Sequence, residues 1–401
     1  MHRGALTPEQ GTSLRVARRD HPPRDTRRRP DTPRVGTYRC GVFSSDASPT
    51  RPRAVLHFVD RVTGGVPVAV RSYIANSPPG FRHIVASPHD RGGPAAVWAS
   101  GSGEPDARHV DWDVSHPLAA IAGVRTLVSQ LAPDVVHAHS SFPGVYARVA
   151  LRPGPRLIYT PHCFAFERRD VGSPARSAYR AVERALRRRA DLLAAAGPGE
   201  AVAATELGYP SSRVRMIPNV PSVRRTASLP DAARAPATLT VGMLGRWAPQ
   251  KDPDMFVRTV RRLRAELPGV RVRGKWIGGG DGAGAAPADI EVTGWQTPEG
   301  VAEQLAGLDV YLHSAAWEAA VAIAILDAVE CGVPVLARPL AAMPGLPPAV
   351  QWQVGLRTLI DAVRAGTFAA WRDDNEERWE RYLGGEFTVE AQRAALRSVW
   401  G

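Results

Sequence analysis

The sequence predicts an α/β protein made of two Rossmann-like parallel-sheet domains that face each other across a cleft. Short apolar runs alternate with helical stretches along most of the chain, which is the pattern of parallel βαβ units. The alternation is interrupted by residues 221–237, which are rich in Pro, Ala, Ser and charge and are typical of a linker. A length of 401 residues also fits two domains of about 100–200 residues each.

This pattern divides the chain into five segments. Residues 1–50 carry ten Arg against five acids, many Pro and no periodic apolar run, which predicts a disordered basic tail. The remaining segments are expected to be a first Rossmann-like domain, the linker, a second Rossmann-like domain and C-terminal helices that return to the first domain, at residues 51–220, 221–237, 238–370 and 371–401.

In the first domain, short apolar runs predict strands, and the helical stretches between them predict the crossovers of right-handed βαβ units. The first strand is followed by a Gly64-Gly65 turn. The predicted strands are Ala54–Val59, Arg82–Ser87, Val135–Ala138, Arg156–Tyr159, Leu192–Ala195 and Val214–Ile217. The predicted helices are Val66–Ala75, Pro117–Leu131 and Ala175–Ala190.

The second domain repeats the alternation. Its predicted strands are Leu239–Leu244, Arg271–Ile277, Asp309–Ser314 and Val333–Ala337. Its predicted helices are Asp252–Glu266 and Ala322–Glu330. The end of the chain, from about Trp371 to Trp400, is helical by its pattern.

The net charge of the chain is +12. Nearly all of the positive charge is arginine, because Lys251 and Lys275 are the only lysines. A basic balance suits nucleic acid, an anionic membrane or an anionic substrate. The sequence has no zinc-finger spacing, RNA-binding aromatic run or basic zipper, which argues against a nucleic-acid partner. The three cysteines show neither metal-ligand spacing nor a disulfide pattern.

The sequence shows no segment of the kind that enters a membrane. No apolar run approaches the ~18 residues of a membrane span, and the polar first residues lack the apolar run of a signal peptide. We therefore expect a cytoplasmic protein. The predicted helix Ala175–Ala190 leaves two interpretations open, a helix on an anionic membrane surface and a solvated face. Its arginines are Arg176, Arg180, Arg184, Arg187, Arg188 and Arg189.

The strongest functional signal is the segment GRWAPQKDPDMF, from Gly245 to Phe256. It follows a buried strand and opens a helix, so Arg246 and Lys251 lie at the carboxyl end of the strand, where open α/β sheets bind ligands. Two cations there can hold a diphosphate and stabilise charge on a leaving group. The alternative is a solvated helix start.

A second signal runs from Trp317 to Arg338, with the sequence WEAAVAIAILDAVECGVPVLAR. A loop with Glu318 leads into a helix that bears Asp327, whose carboxylate can accept a hydrogen bond from a ribose hydroxyl. The helix start near Ala320 and Val321 presents free N–H groups suited to a phosphate. By itself, this segment also fits a plain βαβ crossover.

Together, four segments resemble the glycosyltransferases of family 4, which have the GT-B fold, and the resemblance extends from Ala54 to the C-terminus. The first is the turn at Gly64 and Gly65. The second is the pair of histidine segments PDVVHAHS and YTPHCF, at Pro133–Ser140 and Tyr159–Phe164. The others are the loop with Arg246 and Lys251 and the stretch from Glu318 to Gly332.

The resemblance implies a retaining glycosyltransferase that moves a sugar from a nucleoside-diphosphate sugar to a hydroxyl acceptor, such as a glycan, a lipid-linked molecule or a natural product. It implies no cofactor and no essential metal. Arg246 and Lys251 would hold the diphosphate, Glu318 and His162 would contact the donor sugar, and Asp327 the ribose. Gly64, Gly65, Ala320 and Val321 would lie at the donor phosphates, and His139 is a candidate either for the acceptor side or for a structural role.

The sequence departs from the family pattern in three places. Eight residues separate Glu318 from Asp327 where the family has seven between two Glu, so Ala319 occupies the aligned position of the sugar-binding acid. The loop after Val333–Ala337 lacks the expected Gly-Gly turn, and the segment after the central glycines is rich in Gly and Ala. A degenerate relative that serves as a partner subunit or sugar-nucleotide-binding module is therefore the second interpretation, and an epimerase or phosphorylase on the same fold the third.

Two further motifs resemble sites of other proteins. Asp111-Trp112-Asp113 resembles the Asp-x-Asp metal site of a different transferase fold, but it lies far in sequence from the clamp loop, so we assign no metal there. The glycines Gly278, Gly279 and Gly280 lack the spacing and the following helix of a dinucleotide fingerprint. We expect them to let the backbone approach the donor nucleotide.

Overall fold

Seven parallel strands form the first sheet, in the order β3-β2-β1-β4-β5-β6-β7. The computed structural model describes residues 51–89, 107–151, 153–225, 237–280 and 282–401. The strands are β1 Arg53–Val59, β2 Phe81–Ser87, β3 Ala107–Asp111, β4 Val135–His139, β5 Arg156–Thr160, β6 Leu192–Ala195 and β7 Val214–Met216. The helices are α1 Gly65–Ala75, α2 Pro117–Leu131, α3 Ser141–Ala150, α4 Ser173–Leu186 and α5 Pro198–Glu206.

The second sheet has five parallel strands in the order β10-β9-β8-β11-β12. They are β8 Thr238–Leu244, β9 Arg271–Ile277, β10 Ile290–Val292, β11 Val310–His313 and β12 Val335–Ala337. The helices that follow them are α6 Pro253–Glu266, α7 Pro298–Ala306, α8 Ile323–Glu330 and α9 Trp352–Ala365. Two parallel sheets with crossover helices confirm the predicted fold class.

The two last helices pack on different domains. Helix α10, Phe368–Leu383, places Trp379 in the core of the second domain, where its indole N–H donates to Val335 O at 3.0 Å. Helix α11, Val389–Trp400, buries Trp400 in the core of the first domain. The sequence assigned all helices of residues 371–401 to the first domain, but only α11 returns to it, because a large indole on α10 fills the space beside β12.

The chain between β7 and the linker contacts both domains. Gln392 on α11 donates to Pro218 O at 2.9 Å, and Asn219 donates to Val321 O at 3.0 Å. The predicted tail at 1–50 and most of the predicted linker lie outside the described residues. Among the helices of the described ranges, none has both the length and the apolar character that crossing a membrane requires.

The strands of the first sheet differ from the usual apolar core strand. Parallel sheets covered on both faces are normally built from continuous Val, Ile and Leu. Here four buried positions are histidines, on β1, β2 and β4: His57, His83, His137 and His139. These polar rings need partners inside the protein, because a buried polar group without a hydrogen bond is costly.

Candidate active site

Each sheet has a point at which the strand order reverses, between β1 and β4 in the first and between β8 and β11 in the second. The loops at these carboxyl ends diverge and leave a crevice, where α/β sheets bind ligands. The two crevices meet in this protein. A Cβ added to Gly64, after β1, would lie 3.6 Å from Arg246 Nε, after β8. The glycine turn and the clamp arginine therefore lie against each other.

The clamp loop is held in a defined conformation by its own backbone. Asp252 adopts a left-handed φ of 47° and caps α6, with its carboxylate accepting from Met255 N at 3.1 Å. The preceding turn, Pro249–Lys251, is tied to the end of β11, because Ser314 Oγ donates to Lys251 O at 2.6 Å. Lys251 is thereby placed at the crevice of the second sheet.

Lys251, Glu318 and His313 form a charged group at this crevice. Lys251 Nζ and Glu318 Oε1 form an ion pair, and His313 Nε2 lies 3.3 Å from the same carboxylate oxygen. Burial would raise the pKa of Glu318, but the Lys251 ammonium and the His313 contact outweigh it and hold that pKa at about 2. The acid is therefore ionised at neutral pH.

The shifted acid spacing leaves Glu318 at the crevice. Ala319, the residue eight positions before Asp327, is buried with 9% of its surface exposed. Glu318, one residue earlier, reaches Lys251 instead. The predicted acid and the predicted lysine thus lie side by side.

Asp327 lies elsewhere. It is 2% exposed, and its two carboxylate oxygens accept from Ser222 N at 2.5 Å, Ser222 Oγ at 2.8 Å and Val223 N at 3.3 Å. Burial raises the pKa of Asp327 to about 6, although these donors act to lower it. The carboxylate holds the start of the linker, and its contact with a ribose stays a prediction.

The predicted phosphate-binding backbone at Ala320 and Val321 lies against the first domain. Both residues are 2% exposed, and a Cβ added to Gly197 would lie 2.6 Å from Ala320 Cβ. Val321 O also accepts from Asn219. Glycine at 197 allows this close approach, so this loop is a contact between the two domains.

The central glycines pack against the clamp loop. Gly245 N donates to Ile277 O at 2.9 Å, and Trp247 N donates to Gly279 O at 2.8 Å. Gly278 has a φ of 131°, and Gly280 a φ of 138°. The positive φ angles favour glycine here, and the structure shows these glycines supporting the loop that carries Arg246.

His162 lies in a strained turn after β5. The φ angles of His162 and Cys163 are 48° and 83°, and such values are uncommon outside glycine. Glu200 holds the turn, because its carboxylate accepts from Cys163 N at 2.8 Å and from Ala196 N at 2.7 Å. Burial raises the pKa of Glu200 to about 8 in spite of these donors.

The pKa of Cys163, in the turn at His162, responds to carboxylates of both domains. Burial raises the pKa of the Cys163 thiol, and the carboxylates of Glu167, Glu318 and Glu200 raise it further. This places the turn within electrostatic reach of Glu318.

His139 belongs to a cluster of buried imidazoles. Its Nε2 lies 3.0 Å from His57 Nδ1, and its Nδ1 lies 3.1 Å from His162 Nε2. Burial, followed by the neighbouring histidines, lowers the pKa of His139 well below its usual value. The candidate acceptor-side histidine is thus fully buried, whereas His162, just after β5, is partly exposed.

Three of these histidines, His57, His137 and His139, offer ring nitrogens within 4.8 Å of one another. Those nitrogens are already engaged, since both ring nitrogens of His137 have partners, Trp400 Nε1 at 3.2 Å and Thr160 Oγ1 at 2.8 Å. The Asp-x-Asp motif begins at the edge of the first sheet. Asp111 ends the edge strand β3, and its side chain is 65% exposed.

Sequence reasoning missed His313, Glu200 and His57. His313 is the last residue of β11, and a polar residue at the end of a buried strand beside a clamp loop is a usable signal. Glu200 follows the helix-start sequence GPG, and His57 stands within the apolar strand β1. In all three cases, the available signal was a charged or polar residue in an otherwise apolar stretch of sequence.

The arginines on which the membrane contact is predicted lie on helix α4 and just after it, because the helix ends at Leu186 and not at Ala190 as predicted. Arg184, Arg188 and Arg189 are exposed. Arg180 stacks on Phe166, with its Cζ 4.4 Å from the ring centroid. A cavity of about 270 Å³ lies beside the helix, lined by Phe166, Ser173, Arg176, Ser177 and Arg180.

Two facing parallel-sheet domains, with a cationic loop against a glycine turn, define the GT-B class. The structures of HepE from Anabaena with UDP and glucose and of sucrose-phosphate synthase from Thermosynechococcus elongatus match with TM-scores of 0.64 and 0.67. The matches cover 86% and 87% of this chain and 98% of each structure, at 15% and 14% identity. Such low identity shows the fold alone.

Sequence comparison gives the family. Models of a glycosyl transferase 4-like domain and of glycosyl transferases group 1 match residues 80–220 and 237–365. The chain therefore belongs to the family 4 type of GT-B glycosyltransferases. A D-inositol 3-phosphate glycosyltransferase of Rhodococcus erythropolis is 28% identical over 249 residues, 55% of this chain and 56% of that relative. The chain thus spans a little over half the length of this curated relative.

Proposed function

We propose that this protein is a retaining glycosyltransferase that moves a sugar from a nucleoside-diphosphate sugar to a hydroxyl acceptor, without an essential metal. The observation that carries the proposal is the position of Arg246 and Lys251 at the crevice of the second sheet, with the glycine turn at Gly64 against Arg246. Retention and metal independence rest on the family resemblance.

In this proposal, the clamp residues meet the charge of the leaving group. Breaking the glycosidic bond leaves a diphosphate, whose oxygens gain negative charge as the bond lengthens. Arg246 offers a planar fork of donors, and Lys251 offers a compact charge. Preorganised donors of this kind typically contribute about 3–4 kcal/mol each to the transition state.

Glu318 has two tasks in the same proposal. It holds Lys251 in place before the donor binds, and it stays ionised because its pKa is about 2. An ionised carboxylate accepts hydrogen bonds and cannot donate one, so it suits a hydroxyl of the donor sugar. His162 would contact the sugar from the first domain, where Glu200 fixes its turn.

The experiment is release of nucleoside diphosphate from a panel of UDP-, GDP- and ADP-sugars, first without an acceptor and then with one. We expect slow release from at least one donor, unchanged by EDTA. The acceptor panel includes D-inositol 3-phosphate, which the Rhodococcus relative is named for. The anomeric configuration of the product, read by proton NMR, tests retention. Inversion, or activity abolished by EDTA, would overturn the proposal.

A second candidate function is a sugar-nucleotide-binding module without catalysis. The favouring observation is the position of Ala319 where the family has an acid, together with the internal contacts of Asp327. Nucleotide sugars would then stabilise the protein in a thermal shift without any release of diphosphate. Release above the level of a Lys251→Ala control rules this candidate out.

We also propose that the exposed arginines of α4 and of the residues just after it hold the acceptor side of the protein near an anionic membrane. Exposed arginines contribute about 1 kcal/mol each near anionic lipid, and exposed charges are screened over about 8–10 Å. We expect the protein to cosediment with phosphatidylglycerol vesicles at low salt and to be released at high salt. A variant with Arg184, Arg188 and Arg189 changed to Gln should cosediment much less. No binding at low salt would end this idea.

A further inference from the structure

Four imidazoles and one serine in the first domain are joined end to end. His162 Nε2 lies 3.1 Å from His139 Nδ1, and His139 Nε2 lies 3.0 Å from His57 Nδ1. His57 Nε2 then lies 3.1 Å from His83 Nδ1, and His83 Nε2 lies 2.9 Å from Ser77 Oγ. Each ring uses one nitrogen toward each neighbour. The result is an unbranched chain from Ser77, after α1, to the cleft turn.

The protonation states of these rings are coupled. Burial lowers the pKa of His57 and His139 well below the usual value, that of His83 to about 4 and that of His162 to about 3, so all four rings are neutral at pH 7. A neutral imidazole has one N–H donor and one acceptor nitrogen. The three contacts between rings can therefore all be hydrogen bonds only if the four rings carry the proton on the same nitrogen, all on Nε2 or all on Nδ1. A single ring of the other tautomer would set two N–H groups, or two lone pairs, against each other.

The serine selects between the two consistent arrangements. Its hydroxyl donates to Pro78 O at 3.2 Å, which leaves Ser77 Oγ as the acceptor for His83 Nε2–H. With that proton on Nε2, each following ring must also carry its proton on Nε2. The opposite arrangement would turn the serine hydroxyl toward His83 and lose the bond to Pro78 O.

The cleft end of the chain is open to a ligand. His162 is partly exposed, and its Nδ1 has no hydrogen-bond partner within the part of the chain that the structure describes. Whether this nitrogen is a donor or an acceptor decides which ligand groups it can bind.

We propose that Ser77, His83, His57 and His139 are positioning residues that hold His162 in its Nε2–H tautomer. This leaves an unprotonated Nδ1 at the carboxyl edge of the first sheet, the edge that borders the cleft. A hydroxyl of a ligand in the cleft then donates to His162, and a carbonyl or phosphate oxygen finds no donor there. The inference concerns the cleft of the proposed function, but it is a property of the protein without substrate and does not depend on sugar transfer.

His137 provides an internal reference. Its ring centroid lies 4.1 Å from that of His139, but it stands outside the chain. Trp400 Nε1 donates to His137 Nδ1 at 3.2 Å, and an indole N–H can only donate. The proton of His137 is therefore on Nε2, toward Thr160 Oγ1 at 2.8 Å.

The experiment is NMR of the substrate-free protein labelled with ¹⁵N-histidine at pH 7, with resonances assigned by single His→Gln variants. We expect His162 and His137 both to show an unprotonated Nδ1. Ser77→Ala removes the acceptor at the far end. The ratio of Nδ1–H to Nε2–H at His162 should then rise by roughly 2- to 12-fold, the equivalent of one net hydrogen bond, while His137 stays unchanged.

Two variants control this result. Ser77→Thr keeps the hydroxyl and should restore the wild-type ratio. Ser72→Ala, one turn earlier, removes a hydroxyl that donates to Gln392 Oε1 at 2.9 Å, and it should leave His162 unchanged. A protonated Nδ1 at His162 in the wild type, no response to Ser77→Ala, or an equimolar zinc ion bound by these histidines would overturn the inference. None of these outcomes bears on the clamp at Lys251.

Discussion

Two glutamates in opposite domains, Glu200 fully buried and Glu318 largely so, show how differently the domains treat a carboxylate taken out of water. Glu318, in the second domain, has a pKa of about 2, whereas Glu200, in the first, has a pKa of about 8. Burial acts on both in the same direction. Glu318 has the Lys251 ammonium beside it, while Glu200 has only two backbone N–H groups. A cation outweighs the cost of desolvation, and neutral donors do not.

The same contrast extends to the whole of each crevice. The second domain presents charge, with Arg246 and Lys251 on one loop. The first domain presents neutral imidazoles that are joined by hydrogen bonds. The charged side suits the diphosphate of a donor, and the neutral side suits hydroxyl groups. The following predictions alter one side of the cleft, or the chain that joins the two sides.

The largest effect is expected from Lys251→Ala. Loss of this donor should lower turnover by roughly a hundredfold or more, because it acts mainly on charge that appears as the bond breaks. Lys275→Ala is the matched control. Lys275, the only other lysine, lies on β9, and its ammonium donates to Gln304 at 3.0 Å. Its loss should change turnover by no more than about twofold. Near-normal turnover of Lys251→Ala would show that the clamp is misplaced.

Gly197→Ala tests the contact between the two sides. A Cβ there would lie 2.6 Å from Ala320 Cβ, so the two domains must separate or strain at a cost of about 1–3 kcal/mol. We expect a lower melting temperature or lower turnover. Gly172→Ala is the control, because it also precedes a helix but its Cβ would lie 3.7 Å from Pro174 Cδ. If the two variants had the same melting temperature and turnover, the close contact between Gly197 and Ala320 would be unimportant for both.

The imidazole side should make the protein sensitive to acid. Burial lowers the pKa of His83 to about 4, so between pH 6.5 and 4 the unfolded chain binds a proton that the folded protein does not. Stability therefore falls as pH falls through this window, by about 1.4 kcal/mol per pH unit for each such histidine. His83→Gln should reduce the slope of unfolding free energy against pH by that amount, measured by urea unfolding. The exposed His89 provides the control substitution; an unchanged slope in His83→Gln would contradict the prediction.

The smallest effect is expected from Asp327→Asn. The amide has a single acceptor oxygen for Ser222 and Val223, so the variant should lose about 1 kcal/mol of stability. Donor affinity should change little if the carboxylate only holds the linker. Isothermal titration with the best donor separates the roles. A weakened donor with unchanged stability would return Asp327 to the ribose.

Much of the fold was predictable because its strands are apolar and its helices periodic. Strand β9 and helix α2 were predicted with the observed bounds, and β1 within one residue. The omissions have physical reasons. Strand β3, ARHVD, is a half-exposed edge strand without an apolar run. Helix α3, SFPGVYARVA, contains Pro and Gly near its start, which are typical of a turn.

The sequence by itself determined the α/β class, the clamp loop with Arg246 and Lys251, and the placement of Glu318 after a strand. These features are local, since a loop that follows a buried strand lies at the carboxyl edge of its sheet whatever the rest of the chain does. Only the tertiary structure decided which side chains meet there. His57 and His139 are 82 residues apart in sequence, and Lys251 and Glu318 are 67 apart. Periodicity tells which face a residue is on, but strand order and helix packing determine its neighbours, and those neighbours set the pKa of Glu318 and the tautomer we infer for His162.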